Sequence, residues 1–514
     1  MIRWFRALWL LGVVTASAGC SWVLPFTQCD GNSDCSDGEV CALASETCRS
    51  ITTEMCGELV GAYDDDDAQW IGIILPLSGT NAESGVYVLG AMTQALDEIN
   101  QLGGPGGNQS ARLAALVCDD AGDSDQGVEV ADYLVETLQV PAIIGPAYSK
   151  VSLEVAREVA IPTGTLMLLP SSTATEFSTL DDDDLVWRTA PPDSYQADTL
   201  AYYATWQILE RFTGEDLAPG GGQSQFVTFA ASYSDDIYGE GLYSEFRSRL
   251  LSNLEWLTLN ELQPAIRFVT APYDSADTSS VATSVDTLIS AEPDIALVIG
   301  YEETADIFEA VRDDDAARTA AYFVTDGVRS DAVRTLFDTP EEKPEFLFGV
   351  APTSRESTVF EAFEASYLET YGGAVLPVWT EHAYDATYLL AYAFAGAPEE
   401  PTGADLAVAM KRAVDVDGRS VRVGTQDFLA ATTEMGSGGT LLVEGASGVL
   451  DLDPDVGDRQ SAEVLRWDID TEADAYQDCG VATSYSTEGI ERDWCAARCI
   501  EDAEDCTPDV FLND

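Results

Sequence analysis

Apolar runs alternate with helical periods along the first half of the chain. The runs at residues 70–75, 113–118, 141–145 and 166–169 are typical of strands buried on both faces of a parallel sheet. After the first run, apolar residues recur once per helical turn over residues 85–101, which predicts a helix. Strands and helices that alternate with short links predict an α/β fold with a doubly wound parallel sheet.

A second series of strands and helices follows residue 193. It contains a predicted helix at 195–212, and its predicted strands are residues 225–231, 265–270, 294–300 and 321–325. Two such series exceed what one sheet usually holds. We therefore expect two lobes with a crevice between them.

The fourth apolar run leads directly into Pro170, Ser171, Ser172 and Thr173. Ligands of open parallel sheets bind beyond the carboxyl ends of the strands, and short hydroxyls with free N–H groups suit an anionic group. The same hydroxyls would also serve as helix N-caps. The rest of the chain favours the ligand site.

The first nineteen residues, 1–19, are predicted to be a lipoprotein signal peptide. Arg3 and Arg6 precede an apolar run at 7–14, and small residues lead to Cys20 in a pattern similar to a lipobox. The alternative is an ordinary signal peptide cleaved nearby. A lipidated Cys20 would anchor the protein to a membrane without spanning it. Ser21 replaces the aspartate of inner-membrane lipoproteins, so we expect a periplasmic or cell-surface protein on the outer membrane.

The cysteine pattern predicts a disulfide-bonded, exported protein. Of eleven cysteines, an even number remains once Cys20 is set aside. Four of them lie in a polar segment, for which we favour two disulfides over zinc, with Cys29 joined to Cys41 and Cys35 to Cys48 among three possible pairings. A bridge between Cys56 and Cys118 could tie the segment to the domain edge. Four more disulfide candidates of unknown pairing lie in the tail: Cys479, Cys495, Cys499 and Cys506.

The strongly acidic composition narrows the choice of partners. The formal net charge is −65, from 90 acidic and 25 basic residues. Such a surface repels nucleic acid and anionic lipid, so we expect no nucleic-acid partner and membrane contact through the lipid anchor alone. The four aspartates at residues 64–67 are interpreted as a solvated linker.

No sequence motif strongly indicates a catalytic, metal-binding or nucleotide-binding site. His382 is the only histidine, which excludes histidine-pair metal sites. Asp451, Asp453 and Asp455 alternate like a calcium loop, but Val456 replaces its turn glycine and the bidentate acid is missing. The glycine-rich residues 102–107 precede a strand, whereas a phosphate loop opens a helix. We therefore predict a binding protein, not an enzyme, with no metal and no cofactor.

Several short motifs occur in an order that can be compared with known families, over some 400 residues of the chain. They are residues 74–79, 97–100, 144–146, 168–173, 188–193, 238–241, 382–386 and 445–453. With these motifs, residues 69 to about 470 resemble a type I periplasmic solute-binding protein. The branch they resemble is the branched-chain (Leu/Ile/Val) amino-acid-binding group that serves ABC transporters.

The resemblance implies two Rossmann-like lobes joined by three crossings, near Ala190, Val350 and Glu444, with the solute held in a cleft that closes by hinge bending. The implied units are a Cys-rich segment and acidic linker (20–67), lobe 1 (68–190 and 351–443), lobe 2 (191–350 and 444–470) and a Cys-rich tail (471–514). The tail lies outside the family pattern. It is interpreted as a stapled cap, with contact to another protein as the alternative.

The resemblance also implies the ligand-binding residues. Ser149 matches a residue that holds the solute carboxylate, and Ser171 and Thr173 match a second pair that touches carboxylate and ammonium. Ser84 stands near a position where relatives carry an aromatic ring, so the resemblance does not fix the side chain that the solute carries.

Residues of the second lobe would complete the site. Tyr238 and Tyr301 match aromatic residues brought down on closure, and Asp326 matches an acid for the α-ammonium. Tyr384 is expected near the hinge side of the cleft. The alternative for Asp326 is an acid on a surface turn, and the alternative for Tyr238 is packing in the core.

The predicted function is a lipid-anchored extracytoplasmic protein that captures an amino acid for uptake through an ABC transporter permease. A cell-envelope interaction or regulatory lipoprotein that keeps the fold without transport is the alternative. A ligand sensor is a third possibility, which would require a signalling partner.

Overall fold

The computed structural model describes residues 29, 31–35, 38–42, 47–79, 82–106, 112–213, 227–259, 265–352, 357–373 and 376–484. The strands are β1 Glu39–Ala42, β2 Thr47–Ser50, β3 Glu58–Gly61, β4 Gln69–Leu75, β5 Leu113–Asp119, β6 Ala142–Ile144, β7 Leu166–Leu169, β8 Val186–Arg188, β9 Val227–Ser234, β10 Ile266–Tyr273, β11 Ile295–Ile299, β12 Ala321–Val324, β13 Phe346–Pro352, β14 Arg419–Arg422, β15 Leu441–Gly445, β16 Gly448–Val449, β17 Ala462–Asp470 and β18 Ala475–Ser484.

The helices complete the architecture. They are α1 Ala82–Gln101, α2 Ser124–Asp132, α3 Ser149–Val155, α4 Ile161–Thr163, α5 Ser194–Thr213, α6 Ile237–Leu259, α7 Thr278–Ser290, α8 Thr304–Asp313, α9 Asp331–Arg334, α10 Thr358–Tyr371, α11 Thr380–Gly396, α12 Gly403–Ala413 and α13 Phe428–Gly436. Short π-helical turns extend α2 and α3. Within the described ranges, no helix is both long and apolar enough to cross a membrane.

The first lobe is built on a six-stranded sheet in the order β3-β5-β4-β6-β7-β8. All neighbours are parallel except β3, which runs antiparallel to β5 at the edge. Successive side chains of β4 enter different cores: Ile73 packs in the core that contains α1 and α11, and Ile74 in the core that contains α2 and α3. This burial on both faces explains the unbroken apolar runs and confirms the predicted doubly wound sheet.

The second lobe is built on a seven-stranded sheet in the order β10-β9-β11-β12-β13-β17-β18. The first five strands are parallel, whereas β17 and β18 are antiparallel to their neighbours. Helices α5 and α6 pack on one face, and α7 and α8 pack on the other. The prediction of two lobes is confirmed.

The chain passes between the lobes three times: after β8, after β13, and between Leu452 and β17. The third crossing therefore comes later than the expected position near Glu444. Glu444 lies in β15, where Leu441 and Val443 pack in the first lobe's core, and Leu452 still belongs to that core. The cause is a small sheet in the order β14-β15-β16, which holds this segment on the first lobe.

The predicted ends of the linker and of the tail also differ from the structure. Val60 of β3 is buried on the edge of the first sheet, although it falls in the segment expected to be linker. At the other end, β18 pairs with β17 over most of its length, although it falls in the segment expected to be tail. In each case, main-chain pairing to an open sheet edge recruits a strand whose apolar content alone is weak.

The crossings are held together by a buried ion pair. Nε of Arg188, at the first crossing, donates to Oδ1 of Asp458, at the third, over 2.6 Å. Arg188 is 1% exposed, and it also donates to the carbonyl oxygen of Ala174 over 2.8 Å. The hinge region is therefore fixed by charge as well as by chain connectivity.

The disulfides agree with the sequence as far as they are described. Cys29 is bonded to Cys41, Cys35 to Cys48, and Cys56 to Cys118. These bonds leave no thiolate among those cysteines for zinc. Cys479 is disulfide-bonded. Outside the described residues lie the signal peptide and the remaining cysteines, namely Cys20, Cys495, Cys499 and Cys506.

The small cysteine-rich module, residues 29–50, contacts the acidic linker. The backbone N–H of Asn32 donates to Oδ1 of Asp66 over 2.5 Å, and Arg112 of the first lobe pairs with Asp65 at 3.2 Å. The aspartates are thus more than a solvated run, since two of them accept contacts from either side.

Candidate functional site

A cavity of about 490 Å³ lies between the two lobes. The first lobe lines it with the start of α1, the turn before α3 and the turn after β7. The second lobe lines it with the start of α6 and the turns after β11 and β12. These turns follow the carboxyl ends of parallel strands, where ligands of such sheets bind.

Six of the seven predicted ligand-binding residues line this cavity: Ser149, Ser171, Thr173, Tyr238, Tyr301 and Asp326. Tyr384 does not, and its expected position beside the cleft is wrong. Its hydroxyl donates to Oε2 of Glu98 over 2.6 Å, and its ring lies 4.5 Å from that of Phe363 between centroids. Helix α11 is buried along nearly its whole length, so Tyr384 faces the first lobe's core instead.

The first lobe presents hydroxyls to the cavity. Oγ of Ser149 accepts hydrogen bonds from the backbone N–H groups of Thr173 and Ala174, at 3.1 and 3.2 Å. Because these donors occupy its lone pairs, the hydroxyl proton of Ser149 is oriented to donate to a ligand. No α-helix begins at Ser171, whose Oγ donates to the carbonyl oxygen of Ala147 over 2.9 Å, so the helix-cap alternative is wrong.

The turn that carries Ser149 depends on one glycine. Gly145 has a φ of +99°, and a Cβ atom there would lie 2.1 Å from the carbonyl oxygen of Ile74. Only glycine allows β6 to run this close to β4 before the chain turns into α3. The local sequence thereby places Ser149 beside the end of β7.

The second lobe presents a buried acid. Asp326 is 4% exposed, and its Oδ1 accepts from Nε2 of Gln196 at 2.6 Å and from the hydroxyl of Tyr238 at 3.0 Å. It is therefore not an acid on a surface turn. Burial raises the pKa of Asp326 above the ordinary range of aspartates.

A second acid, which the sequence showed only as part of the crossover motif, stands behind it. Asp193 is fully buried and accepts from the same Nε2 of Gln196 over 3.2 Å. Burial, and then repulsion by Asp326, raises the pKa of Asp193 well above the usual value. A cation bound at Asp326 would relieve this repulsion, so the pair is suited to hold an ammonium group.

Aromatic rings connect the lobes. The ring of Tyr301 lies 5.2 Å from that of Tyr238 and 4.6 Å from that of Tyr148, which belongs to the first lobe. The Tyr148 hydroxyl lies 3.1 Å from Oγ of Ser84, so Tyr148 supplies an aromatic ring beside the position where Ser84 lacks one. Tyr238 fits both predicted positions, since it packs in the second lobe's core and also lines the cavity.

The outer part of the cavity contains acids that the sequence did not single out. The backbone N–H of Ser84 donates to Oε1 of Glu302 across the cleft over 3.3 Å. Glu83 accepts from the Tyr87 hydroxyl over 3.1 Å. Burial, with repulsion from Glu83 among the weaker causes, raises the pKa of Glu302 to about 7. No pattern in the sequence links Ser84 and Glu302, since they are 218 residues apart and lie on different lobes.

Sequence comparison finds similarity to a family of binding proteins over part of the chain. Residues 69–233 match the model of a family described as periplasmic binding protein. The Leu/Ile/Val-binding protein BraC3 of Rhizobium johnstonii is 30% identical over 204 residues, which cover 40% of this chain and 50% of that protein. The leucine-, isoleucine-, valine-, threonine- and alanine-binding protein of Pseudomonas aeruginosa is 29% identical over 34% of this chain and 42% of that protein. The chain thus spans about half the length of the curated relatives it matches.

Solved structures extend the likeness to both lobes. The leucine-binding protein LivK of Thermotoga maritima has a TM-score of 0.58 at 18% identity, covering 80% of this chain and 98% of that one. LivJ of Streptococcus pneumoniae, in complex with isoleucine, also scores 0.58 at 18% identity, over 81% and 99% of the two chains. A solute-binding protein of Rhodopseudomonas palustris in complex with benzoate scores 0.57 at 14% identity, over 82% and 99%. At these identities the likeness shows the fold.

The match over residues 69–233, the likeness of both lobes to solved solute-binding proteins and the three crossings lead to one conclusion: the chain has the fold of the type I periplasmic binding proteins.

Proposed function

We propose that this protein captures an amino acid in the interlobe cleft and delivers it to the permease of an ABC transporter. The observation that carries the proposal is the opposite chemistry of the two cavity walls. Hydroxyls of Ser149, Ser171 and Thr173 lie on the first lobe, and the buried carboxylate of Asp326 lies on the second.

A zwitterion satisfies both walls at once. Its carboxylate accepts a hydrogen bond from the Ser149 hydroxyl, whose proton is oriented toward a ligand, and its ammonium pairs with Asp326 beside Asp193. Because each end contacts a different lobe, the ligand stabilises the closed arrangement. A monocarboxylate without an amine leaves the two acids uncompensated.

The relatives support the same class of ligand. The similar sequences are named for binding leucine, isoleucine and valine, and the LivJ structure holds isoleucine. The location follows the family: we propose an extracytoplasmic protein anchored through lipidated Cys20, on the outer membrane or cell surface. The two disulfides of residues 29–50 suit such an oxidising compartment.

Titration calorimetry of the mature protein with the common amino acids tests the proposal. We expect at least one to bind, and Ser149→Ala and Asp326→Asn to weaken it by about 10²–10³-fold, since each leaves one end of a buried pair uncompensated. Ser279→Ala, in α7 away from the cleft, is the matched control and should bind as the parent does. Heat signals absent for every amino acid would contradict the proposal.

The disulfide-bonded module favours a second candidate function, in which the protein contacts other envelope proteins and does not serve transport. The module contacts Asp66 of the linker, and the Cys56–Cys118 bond ties the segment that follows the module to the first lobe, away from the cavity lining. Affinity capture from envelope extract separates the two functions, since transport predicts permease subunits among the captured proteins and the alternative predicts none.

A further inference from the structure

The cleft is rich in aromatic side chains, beside the aliphatic Val88, Leu376 and Val378. Five aromatic side chains line it beyond the tyrosines near Asp326: Tyr87, Tyr148, Tyr371, Trp379 and Tyr476. Trp379 is held with a left-handed φ of 71° just before α11, an unusual conformation that directs this segment to the cavity wall. Aromatic faces attract cations, and more strongly where water is excluded.

The charges of the same wall are unbalanced. Five carboxylate residues line the cavity, but only two guanidinium groups do. Nε of Arg334 pairs with Asp331 at 2.9 Å, and Arg329 pairs with Asp478 at 3.0 Å. In the part of the chain that the structure describes, no ion pair reaches Glu302. A neutral ligand side chain would leave that half-buried carboxylate uncompensated.

A further acid increases the negative potential at this place. Glu303, next to Glu302, is 7% exposed, and its Oε2 has no hydrogen-bond partner among the described residues. The Tyr273 hydroxyl donates to its other oxygen, Oε1, over 3.0 Å. Glu303 does not itself line the cavity, but repulsion from it is one of the causes that raise the pKa of Glu302.

We infer that the solute is an amino acid with a second cationic group on its side chain, held between Glu302, Glu83 and the surrounding aromatic rings. This inference rests on the proposed function, because Asp326 and the hydroxyls of the first lobe hold the α-amino-acid end. Contacts run along the wall from Asp326 through Tyr238, Tyr301 and Tyr148 to Ser84, which donates to Glu302. The two ends of the ligand would therefore lie at the two ends of one continuous wall.

The subsite is assembled by closure. Glu83 and Ser84 belong to α1 of the first lobe, and Glu302 follows β11 of the second. A side-chain cation that draws both acids together strengthens the closed state, whereas an aliphatic side chain gives no such gain.

Paired titrations of the mature protein with L-lysine and L-norleucine test the inference, because these ligands share their chain length and differ in the terminal ammonium. We expect lysine to bind at least about tenfold more tightly, as a charge-assisted contact would give. Glu302→Gln should remove most of this difference by weakening lysine alone. Glu361→Gln, on the exposed face of α10, is the matched control and should preserve it. Glu83→Gln, expected to reduce the difference in the same way, replaces Glu302→Gln if that variant melts early.

The outcomes are distinguishable. If leucine or norleucine binds as tightly as lysine, or if both glutamine variants keep the preference, the inference is overturned while the proposed function stands. If none of these amino acids binds but another common amino acid does, the inference is overturned and the proposed function stands. If no common amino acid binds, both fail.

Discussion

At the scale of single residues, the centre of the site is one amide that serves two acids. Nε2 of Gln196 donates both to Asp326 and to Asp193. The side chains of the two aspartates are thereby fixed beside Thr173 before a ligand arrives. Such preorganisation lowers the free-energy cost of binding, because no side chain has to be ordered around the ammonium.

The raised pKa values of these acids predict pH-dependent affinity. A protonated Asp326 must lose its proton to pair with an ammonium, so amino-acid affinity should rise with pH through the raised pKa and level off above it. Calorimetry between pH 4.5 and 8 measures this change. Asp326→Asn should bind weakly with little pH dependence. Equal affinity of the parent protein across this range would contradict the prediction.

At the scale of elements, α11 shows why a single residue was misplaced. The helix is buried around nearly its whole circumference, so its sequence has no polar face to indicate which side meets the cleft. Glu98 lies on α1, far away in sequence, and accepts from both Tyr384 and Tyr388. Only the packing of α1 on α11 reveals that these hydroxyls satisfy a core acid.

Helix α11 also fixes the turn before β16. Asp385 accepts from the backbone N–H of Ala446 and from the N–H and hydroxyl of Ser447, over 2.6–2.8 Å. We expect Asp385→Ala to lower the free energy of unfolding by about 2–4 kcal/mol, because three buried donors lose their acceptor. Urea denaturation measures the change. Asp417→Ala, at an exposed site, should stay within about 0.5 kcal/mol of the parent.

The regular elements could be predicted from the sequence because local pattern determines them. The run at 166–169 became β7 with all four side chains buried, and Ser171 and Thr173 beyond it line the cavity. Strands β3 and β18 could not be predicted, since they are defined by partners rather than by their own apolar pattern. Glu302 was missed for a related reason: its contact, Ser84, is 218 residues away.

At the scale of the whole molecule, a buried ion pair joins the crossings between the lobes. Arg188 and Asp458 join two of the three crossings through an ion pair in which the arginine side chain is 1% exposed. We expect Arg188→Ala to lower the free energy of unfolding by about 3–5 kcal/mol, because Asp458 is left as an unpaired buried charge. Thermal and urea unfolding measure the loss. The double variant with Asp458→Leu should recover a substantial part of the lost free energy of unfolding. An unchanged unfolding midpoint for Arg188→Ala alone would contradict this account.

The bond between Cys56 and Cys118 has a mechanical consequence. It joins the segment that follows residues 29–50 to β5, a strand inside the first lobe's sheet. A tether attached to the residues before Cys29 would therefore transmit its force to the first lobe and hold that lobe in place. The second lobe is connected only through the three crossings. We therefore expect the cleft to open mainly by movement of the second lobe.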